Sequence, residues 1–206
     1  MSVDGQVGGL IAVADPIKPT SREAVSRLKR LGLDVVMLTG DDSRTAGSVA
    51  RAVGVERVIA DVAPERKLEE IRRLQSEGRV VAMVGDGLND GPALAQADVG
   101  IAMGSGTDVA MDAGAITLMR SGLLGVVDAV GLSRRTLQII RQNLFWALVY
   151  NIIGIPIAAG ILYPAFGLLL SPTLAAAAMA ASSVSVVTNS LRLKNYKLPN
   201  GAEHAT

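Results

Sequence analysis

The sequence predicts a partial, parallel Rossmann-like α/β domain followed by a two-helix transmembrane hairpin. Up to Met119, short apolar runs alternate with amphipathic segments, which is the pattern of a parallel sheet covered by helices. From Gln142 to Leu191 the chain carries no charged residue. Every aromatic residue lies at Phe145 or later, so the first part must build its core from aliphatic side chains.

The composition excludes several classes of protein. The formal net charge of the 206 residues is +1, which offers no global attraction to nucleic acid. The chain has no cysteine, so neither disulfides nor thiolate metal sites can form within it. We expect residues 1–122 to form the α/β portion, 123–142 a stalk helix, 143–191 the membrane helices and 192–206 a cytoplasmic tail.

Each element of the α/β portion has its own signal. The predicted strands are continuous apolar runs, as expected for strands covered on both faces. They are Leu10–Ala14, Val35–Leu38, Arg57–Ala60, Val80–Val84, Val99–Met103 and Ile116–Met119. Thr20 and Glu23 form a capping-box pattern at the start of the first helix, and Gly32 is placed to end it. Pro64 and Gly78 bound another helix.

Polar residues follow two of the predicted strands. One strand continues into Thr39-Gly40-Asp41, and the other into an acidic, glycine-rich turn at 85–92 that contains Asp86, Asn89 and Asp90. Ligands of parallel α/β sheets bind at the carboxyl ends of the strands. Carboxylates there can hold Mg²⁺, and Thr39 offers a hydroxyl and backbone N–H groups to a phosphate oxygen.

Lys67 lies one turn into the helix that begins at Pro64, from which it could reach the same edge of the sheet. Together these parts predict a Mg²⁺-phosphate site. Taken alone, segment 39–41 also fits an ordinary strand-to-helix turn, and Lys67 alone fits a solvated helix charge. Capping explains the longer, acidic turn at 85–92 poorly.

The charge-free stretch predicts two membrane spans, 143–163 and 166–191, each close to the ~20 residues that cross a bilayer. Basic residues flank the hairpin on both sides, so the positive-inside rule places both ends in the cytoplasm. The alternative is a buried hydrophobic hairpin of a soluble protein. The length of the stretch disfavours it.

Polar and soft side chains interrupt the predicted spans: Tyr150 and Asn151 in the first, and Met179, Ser182 and Ser183 in the second. Met179 and Ser183 are four residues apart, so they share a helix face. A thioether suits Cu(I), and polar groups inside a membrane mark ion pathways. The alternative is that Met packs and Ser joins helices by hydrogen bonds.

Four segments resemble motifs of the P-type ATPases, whose phosphorylation domain belongs to the haloacid dehalogenase superfamily. They are Asp-Pro-Ile-Lys at 15–18, Thr-Gly-Asp at 39–41, Gly-Asp-Gly-Leu-Asn-Asp-Gly-Pro-Ala-Leu at 85–94 and Ala-Asp-Val-Gly-Ile-Ala-Met-Gly at 97–104. Tyr-Asn at 150–151 and Met-x-x-Ser-Ser at 179–183 resemble the copper-transporting subgroup of the heavy-metal (P1B-type) pumps. The zinc/cadmium subgroup would show an acidic residue in the last span, where this chain has none.

The resemblance implies a haloacid dehalogenase-type fold, ATP as the nucleotide and Cu(I) as the transported ion. It also implies a role for each matched residue. Asp86 would bind Mg²⁺ with support from Asp90, and Asn89 and Thr39 would bind the phosphoryl oxygens. Lys67 would neutralise charge on the transferring phosphoryl group.

The chain departs from the family pattern in what it lacks. It contains neither the Asp-Lys-Thr-Gly-Thr motif that the family phosphorylates nor the family's Cys-Pro-Cys ligands. Gly91 stands where the family usually has Ala. Asp41 would shape the nucleotide end of the site, but the resemblance puts the nucleotide-binding and actuator domains outside this chain. We therefore expect the chain alone to be inactive, with the lipid bilayer and the preceding part of a pump as its partners.

Three hypotheses follow. The first is the C-terminal portion of a Cu(I)-transporting ATPase of a bacterial plasma membrane, with a zinc or cadmium pump as its variant. The second is a catalytically inactive membrane protein that acts as a regulatory half on a partner chain. The third, a membrane-anchored phosphatase, is the weakest, because the missing Asp removes hydrolysis as well.

Overall fold

The computed structural model describes residues 2–3, 6–7, 16–86, 88–104, 112, 114–119, 122–167 and 171–196. The chain divides into two compact units, Met1–Val127 and Asp128–Thr206. The predicted strand Leu10–Ala14 lies outside the described residues, as do Asp15 and Gly87 of the quoted motifs.

The first unit alternates strands with helices, as the sequence predicts. Its elements are β1 (Ser2–Val3), β2 (Gln6–Val7), α1 (Ser21–Arg30), β3 (Val36–Leu38), α2 (Ser43–Val53), β4 (Arg57–Ile59), α3 (Pro64–Ser76), β5 (Ala82–Gly85), α4 (Gly91–Gln96), β6 (Val99–Met103) and β7 (Ile116–Leu118). A 3₁₀ turn at Leu88–Asp90 joins β5 to α4.

The longer strands pair in parallel, which confirms the predicted α/β class. β3 pairs with β4, β5 pairs with β6, and β6 pairs with β7. Among the described residues, the hydrogen bonds form two separate parallel sheets and a short antiparallel pair of β1 with β2. The carboxyl ends of β3 and β5 carry the two polar segments singled out above.

Burial is less complete than continuous apolar strands suggest. β6 is buried from Gly100 to Met103, whereas β3 is half-buried throughout. Val80 is 85% exposed and lies before β5, so that strand begins two residues later than predicted. The α1 side chains Ala24 and Leu28 pack with Ile101 in an aliphatic core.

The helix boundaries follow the predicted signals with one exception. Gly32 and Gly78 follow α1 and α3 with φ of +77° and +76°, and Pro64 opens α3. The predicted capping box is wrong. Thr20 has helical dihedral angles and makes no side-chain cap hydrogen bond, so its hydroxyl does not serve the first turn, and Glu23 pairs instead with Arg27 at 2.5 Å.

The remaining elements are helical: α5 (Leu124–Ala158), α6 (Tyr163–Phe166) and α7 (Pro172–Leu191). The predicted stalk and most of the predicted first span are therefore one helix, which ends before Gly160, where φ is +85°. Of the described helices, one is long and apolar enough to cross a membrane, Thr173–Leu191, with a mean hydropathy of 1.4. The charge-free part of α5, from Gln142 to Ala158, falls short of about 20 residues.

Candidate functional site

The segment after β3 is held by a compact set of hydrogen bonds. Thr39 donates its backbone N–H to Ile59 at 3.0 Å. Its hydroxyl donates to Asp41 Oδ2 at 3.0 Å and accepts from the Asp41 N–H at 3.1 Å. Asp61, with φ of +56°, donates its N–H to the Asp41 carbonyl at 2.9 Å. The Thr39 hydroxyl is thus oriented at the strand end by Asp41.

The segment after β5 is organised by one ion pair. Lys67 Nζ lies 2.7 Å from Asp90 Oδ1, and the two side chains are only 17% and 12% exposed. Among the described residues, Asp90 is the one charged residue that is buried. Such a charge-assisted bond, shielded from water, is stronger than a neutral one. Lys67 therefore contacts the turn that follows β5.

Gly85 makes this arrangement sterically feasible. A Cβ at Gly85 would stand 2.8 Å from Asp90 Cβ and 2.9 Å from Asp90 Oδ2. Real Cβ atoms do not approach a neighbour so closely, so any larger residue would push Asp90 away from Lys67. The φ of Gly85 is not in the left-handed region, so backbone conformation does not require glycine here. The close approach of Asp90 does.

The side chains of Asp86 and Asn89 are both exposed. Asp86 forms no ion pair within the described part of the chain, so its carboxylate is available to a ligand. The structure thus separates the predicted carboxylates into an exposed Asp86 and a buried Asp90 that is paired with Lys67.

The donor set fits Mg²⁺ rather than a fully caged metal. The described residues contain no group of three or more His, Cys, Asp and Glu side chains that could enclose a metal ion. Mg²⁺ keeps several water ligands and is held by one or two carboxylates together with substrate phosphate. The exposed carboxylate of Asp86 meets that modest requirement.

Two further carboxylates have lowered pKa values because they accept hydrogen bonds. Asp42 caps α2 through the N–H groups of Arg44 and Thr45, and the hydrogen bond from the Thr45 hydroxyl is the main cause that lowers the Asp42 pKa. Asp98 accepts from the Val81 N–H at 2.8 Å, just before β5. That bond, followed by the one from Gln75, lowers the Asp98 pKa.

Asn151 and Ser183 each donate a side-chain hydrogen bond within their own helix. Asn151 Nδ2 donates to the Ala147 carbonyl at 2.9 Å, and Ser183 Oγ donates to the Met179 carbonyl at 3.2 Å. Ser182 is half-buried and accepts through its carbonyl from Ser185 at 2.7 Å. Met179 is 73% exposed. Met179 and Ser183 therefore share a helix face, as predicted.

Tyr150 lies in a cavity of about 230 Å³ between α5 and α7. It lines this cavity with Ser185 and Asn189. Sequence reasoning did not select Asn189, although a polar residue inside an apolar stretch was a signal for it. Asn189 Nδ2 donates to Asn143 Oδ1 at 2.8 Å and to Gln142 Oε1 at 3.3 Å, so it joins the two helices.

Comparison with known proteins places this geometry in context. The haloacid dehalogenase-like hydrolase family matches residues 1–98. The probable copper-transporting ATPase PacS of Synechococcus elongatus is 59% identical over 96% of this chain and 26% of its own length. The copper-exporting P-type ATPase of Bacillus subtilis is 58% identical over 96% of this chain and 24% of its own length. The chain spans about a quarter of the length of these relatives.

A solved structure agrees with the sequence comparison. A zinc-transporting PIB-type ATPase in an E2.Pi state superposes with a TM-score of 0.75 and 37% identity, over 87% of this chain and 28% of that one. The fold and the strand-end site define a haloacid dehalogenase-like α/β domain. Over nearly its whole length the chain is homologous to P-type ATPases that carry copper-transporting names.

Proposed function

We propose that this chain is the C-terminal portion of an ATP-driven, Cu(I)-translocating P-type ATPase. In that pump it contributes the Mg²⁺-phosphate half of the phosphorylation site and the last two membrane helices of the ion pathway. The observation that carries the proposal is the shielded Lys67–Asp90 pair at the end of β5, next to an exposed Asp86. A purely structural strand-to-helix turn needs no such pair.

Each side chain of this half-site has a distinct task. Asp90 holds the Lys67 ammonium at the strand edge, where its charge favours a phosphoryl group over water. Thr39, oriented by Asp41, and the exposed Asn89 offer hydrogen bonds to phosphoryl oxygens. Asp86 would hold Mg²⁺, which when bound supplies positive charge to the phosphate oxygens.

The chain supplies no carboxylate for phosphorylation in the family motif, because Asp-Lys-Thr-Gly-Thr is absent from its sequence. The attacking carboxylate and the nucleotide-binding domain come from another segment. The chain alone therefore neither hydrolyses ATP nor forms a phosphoenzyme. The second candidate is a catalytically inactive membrane partner that acts as a regulatory half.

In the membrane part, Tyr150, Asn151, Met179, Ser182 and Ser183 form one side of the Cu(I) pathway. The exposed thioether of Met179 supports this role, because soft ligands suit Cu(I). The hairpin spans a bacterial plasma membrane with the α/β portion and both ends in the cytoplasm. Basic residues before and after the charge-free stretch support this orientation.

A chimaeric pump tests the proposal. The chain replaces the matching segment of the Bacillus subtilis copper-exporting P-type ATPase, to which it is 58% identical. We expect Cu(I)-stimulated ATP hydrolysis and a phosphoenzyme, both lost in Asp86→Asn. Phosphorylation that responds to Zn²⁺ but not to Cu(I) would assign the chain to a zinc pump. A folded chimaera without any phosphoenzyme would favour the inactive regulatory half.

A further inference from the structure

A shallow concavity on α5 combines positive charge with aromatic side chains at the start of the charge-free stretch. It is lined by Arg134, Gln138, Arg141, Gln142, Phe145 and Trp146, and we refer to it as the basic-aromatic surface. These residues follow one another at helical spacing, so they form one continuous stripe. Phe145 and Trp146 are 58% and 52% exposed, and their rings meet edge to face at 5.5 Å.

Two further cations reach this surface through hydrogen bonds. Arg135 Nη1 donates to Gln138 Oε1 at 2.6 Å. Arg192 Nη1 donates to Asn189 Oδ1 at 3.1 Å, and Asn189 in turn donates to Gln142 Oε1 at 3.3 Å. Arg135 therefore adjoins this surface directly, and Arg192 is linked to it through Asn189.

The stretch of sequence that carries these four arginines contains no acidic residue. From Ala129 to Ala202 the chain contains no Asp or Glu. An anionic partner is therefore favoured by charge complementarity. The partner must also tolerate a phenylalanine and a tryptophan beside the charge, which are the side chains that lie at membrane–water interfaces.

We propose that the basic-aromatic surface binds the headgroup of an anionic phospholipid in the cytoplasmic leaflet. Arg134 and Arg141 bind the phosphate, and Phe145 and Trp146 lie along the upper acyl chain. Guanidinium groups suit phosphate oxygens because they present several N–H donors in a planar fork. This inference rests on the proposed membrane location of the hairpin, and it adds a lipid site to that function.

The chain contains a built-in reporter, because Trp146 is its single tryptophan. The full chain is reconstituted in phosphatidylcholine vesicles, and Trp146 fluorescence is measured with brominated phosphatidylglycerol or brominated phosphatidylcholine at equal mole fraction. We expect the anionic lipid to quench several times more effectively. Arg134→Gln and Arg141→Gln should each reduce that preference about fivefold, since a cation near an anionic surface contributes that much affinity.

Controls separate charge from folding and from free anions. Arg134→Lys with Arg141→Lys should keep most of the preference, and Arg66→Gln on α3 should leave it unchanged. Inorganic phosphate at constant ionic strength should not compete, and loss of the preference on adding it would overturn the lipid assignment. Equal quenching by both lipids would refute the lipid site alone. Absence of quenching by either lipid would overturn the membrane location as well.

Discussion

Lys67 Nζ lies 2.7 Å from Asp90 Oδ1, and this pair joins helix α3 to the turn that follows strand β5. The two residues are 23 positions apart in the sequence. The contact converts two segments with no local relation into one half-site. The pair also contributes a measurable amount to stability. Removing either partner would leave the other charged and poorly solvated.

The first prediction concerns this pair. Asp90→Leu should lower the local stability of α3 by about 2 kcal/mol, because a largely shielded ammonium loses its charged partner. Hydrogen exchange of the amides of residues 65–76 in the solubilised full chain measures the change. Asp34→Leu is the matched control, since its pair with Arg79 is 83% exposed on the Asp side. It should change protection by less than about 0.5 kcal/mol. Equal effects would show that the Lys67 pair is no stronger than a surface pair.

The second prediction tests the steric requirement at Gly85. Gly85→Ala places a Cβ 2.8 Å from Asp90 Cβ, and we expect a loss of about 1–3 kcal/mol from overpacking. Gly47→Ala in α2 is the control, because its nearest neighbour is the Arg51 guanidinium at 3.7 Å. That change should stabilise its helix by about 0.5–1 kcal/mol. Hydrogen exchange of the amides near each site measures the two changes in stability. A Gly85→Ala protein with unchanged stability would contradict the close approach of Gly85 to Asp90.

The third prediction concerns pH. The Asp98 pKa is lowered by the hydrogen bond from the Val81 N–H, and then by that from Gln75. A lowered pKa in the folded state adds stability above the unfolded pKa of about 3.9, and this stability is lost as the pH falls through the folded value. Asp98→Asn removes the titration, so acid should destabilise β5 less steeply in the variant. Thermal melts of both proteins between pH 6 and acid, followed by circular dichroism, measure the slopes. If the melting temperature falls with pH equally steeply in both proteins, Asp98 does not contribute to the pH dependence of stability.

The fourth prediction addresses the helix pair. Asn189→Leu should weaken the contact between α5 and α7 by about 1 kcal/mol, because Asn143 and Gln142 lose their shared donor. Since the chain has no cysteine, the pair Trp146→Cys and Val186→Cys, both lining one cavity, reports proximity. A short bifunctional thiol reagent should link this pair less efficiently in the Asn189→Leu background. Thr188 is an exposed neighbour of Asn189, so Thr188→Val should not change the cross-linking efficiency. An equal loss of cross-linking in Thr188→Val would argue against a role for the Asn189 hydrogen bonds.

The fifth prediction concerns the transported ion. In the chimaeric pump, Met179→Ala should raise the Cu(I) concentration required for half-maximal turnover on the order of tenfold, as expected for loss of a metal contact. Ala177→Val, two residues away and exposed, should have a much smaller effect. Unchanged copper dependence after loss of both Met179 and Asn151 would mean that these residues only pack the helices.

The class of fold was readable from the sequence because it depends on local patterns. Val99–Met103 is both predicted and observed as a strand. Gly32 and Gly78 follow helices where the sequence places them. Glycine tolerates a left-handed φ wherever it occurs, so this signal is local. The capping box predicted from Thr20 and Glu23 is wrong because it depends on more than residue type. A cap depends on the dihedral angles of one residue, and the chain around Thr20 adopts helical ones.

The candidate residues of the strand-end site were also readable, because an acidic, glycine-rich turn after an apolar strand is a local signal. Their division of labour was not. Only the folded chain decides that Asp90 is buried against Lys67 while Asp86 stays exposed, since burial depends on how α3 packs on the 3₁₀ turn. The same holds for Asn189, whose partners Gln142 and Asn143 lie on another helix. Periodicity assigns a residue to a helix face, and only tertiary packing determines what that face meets.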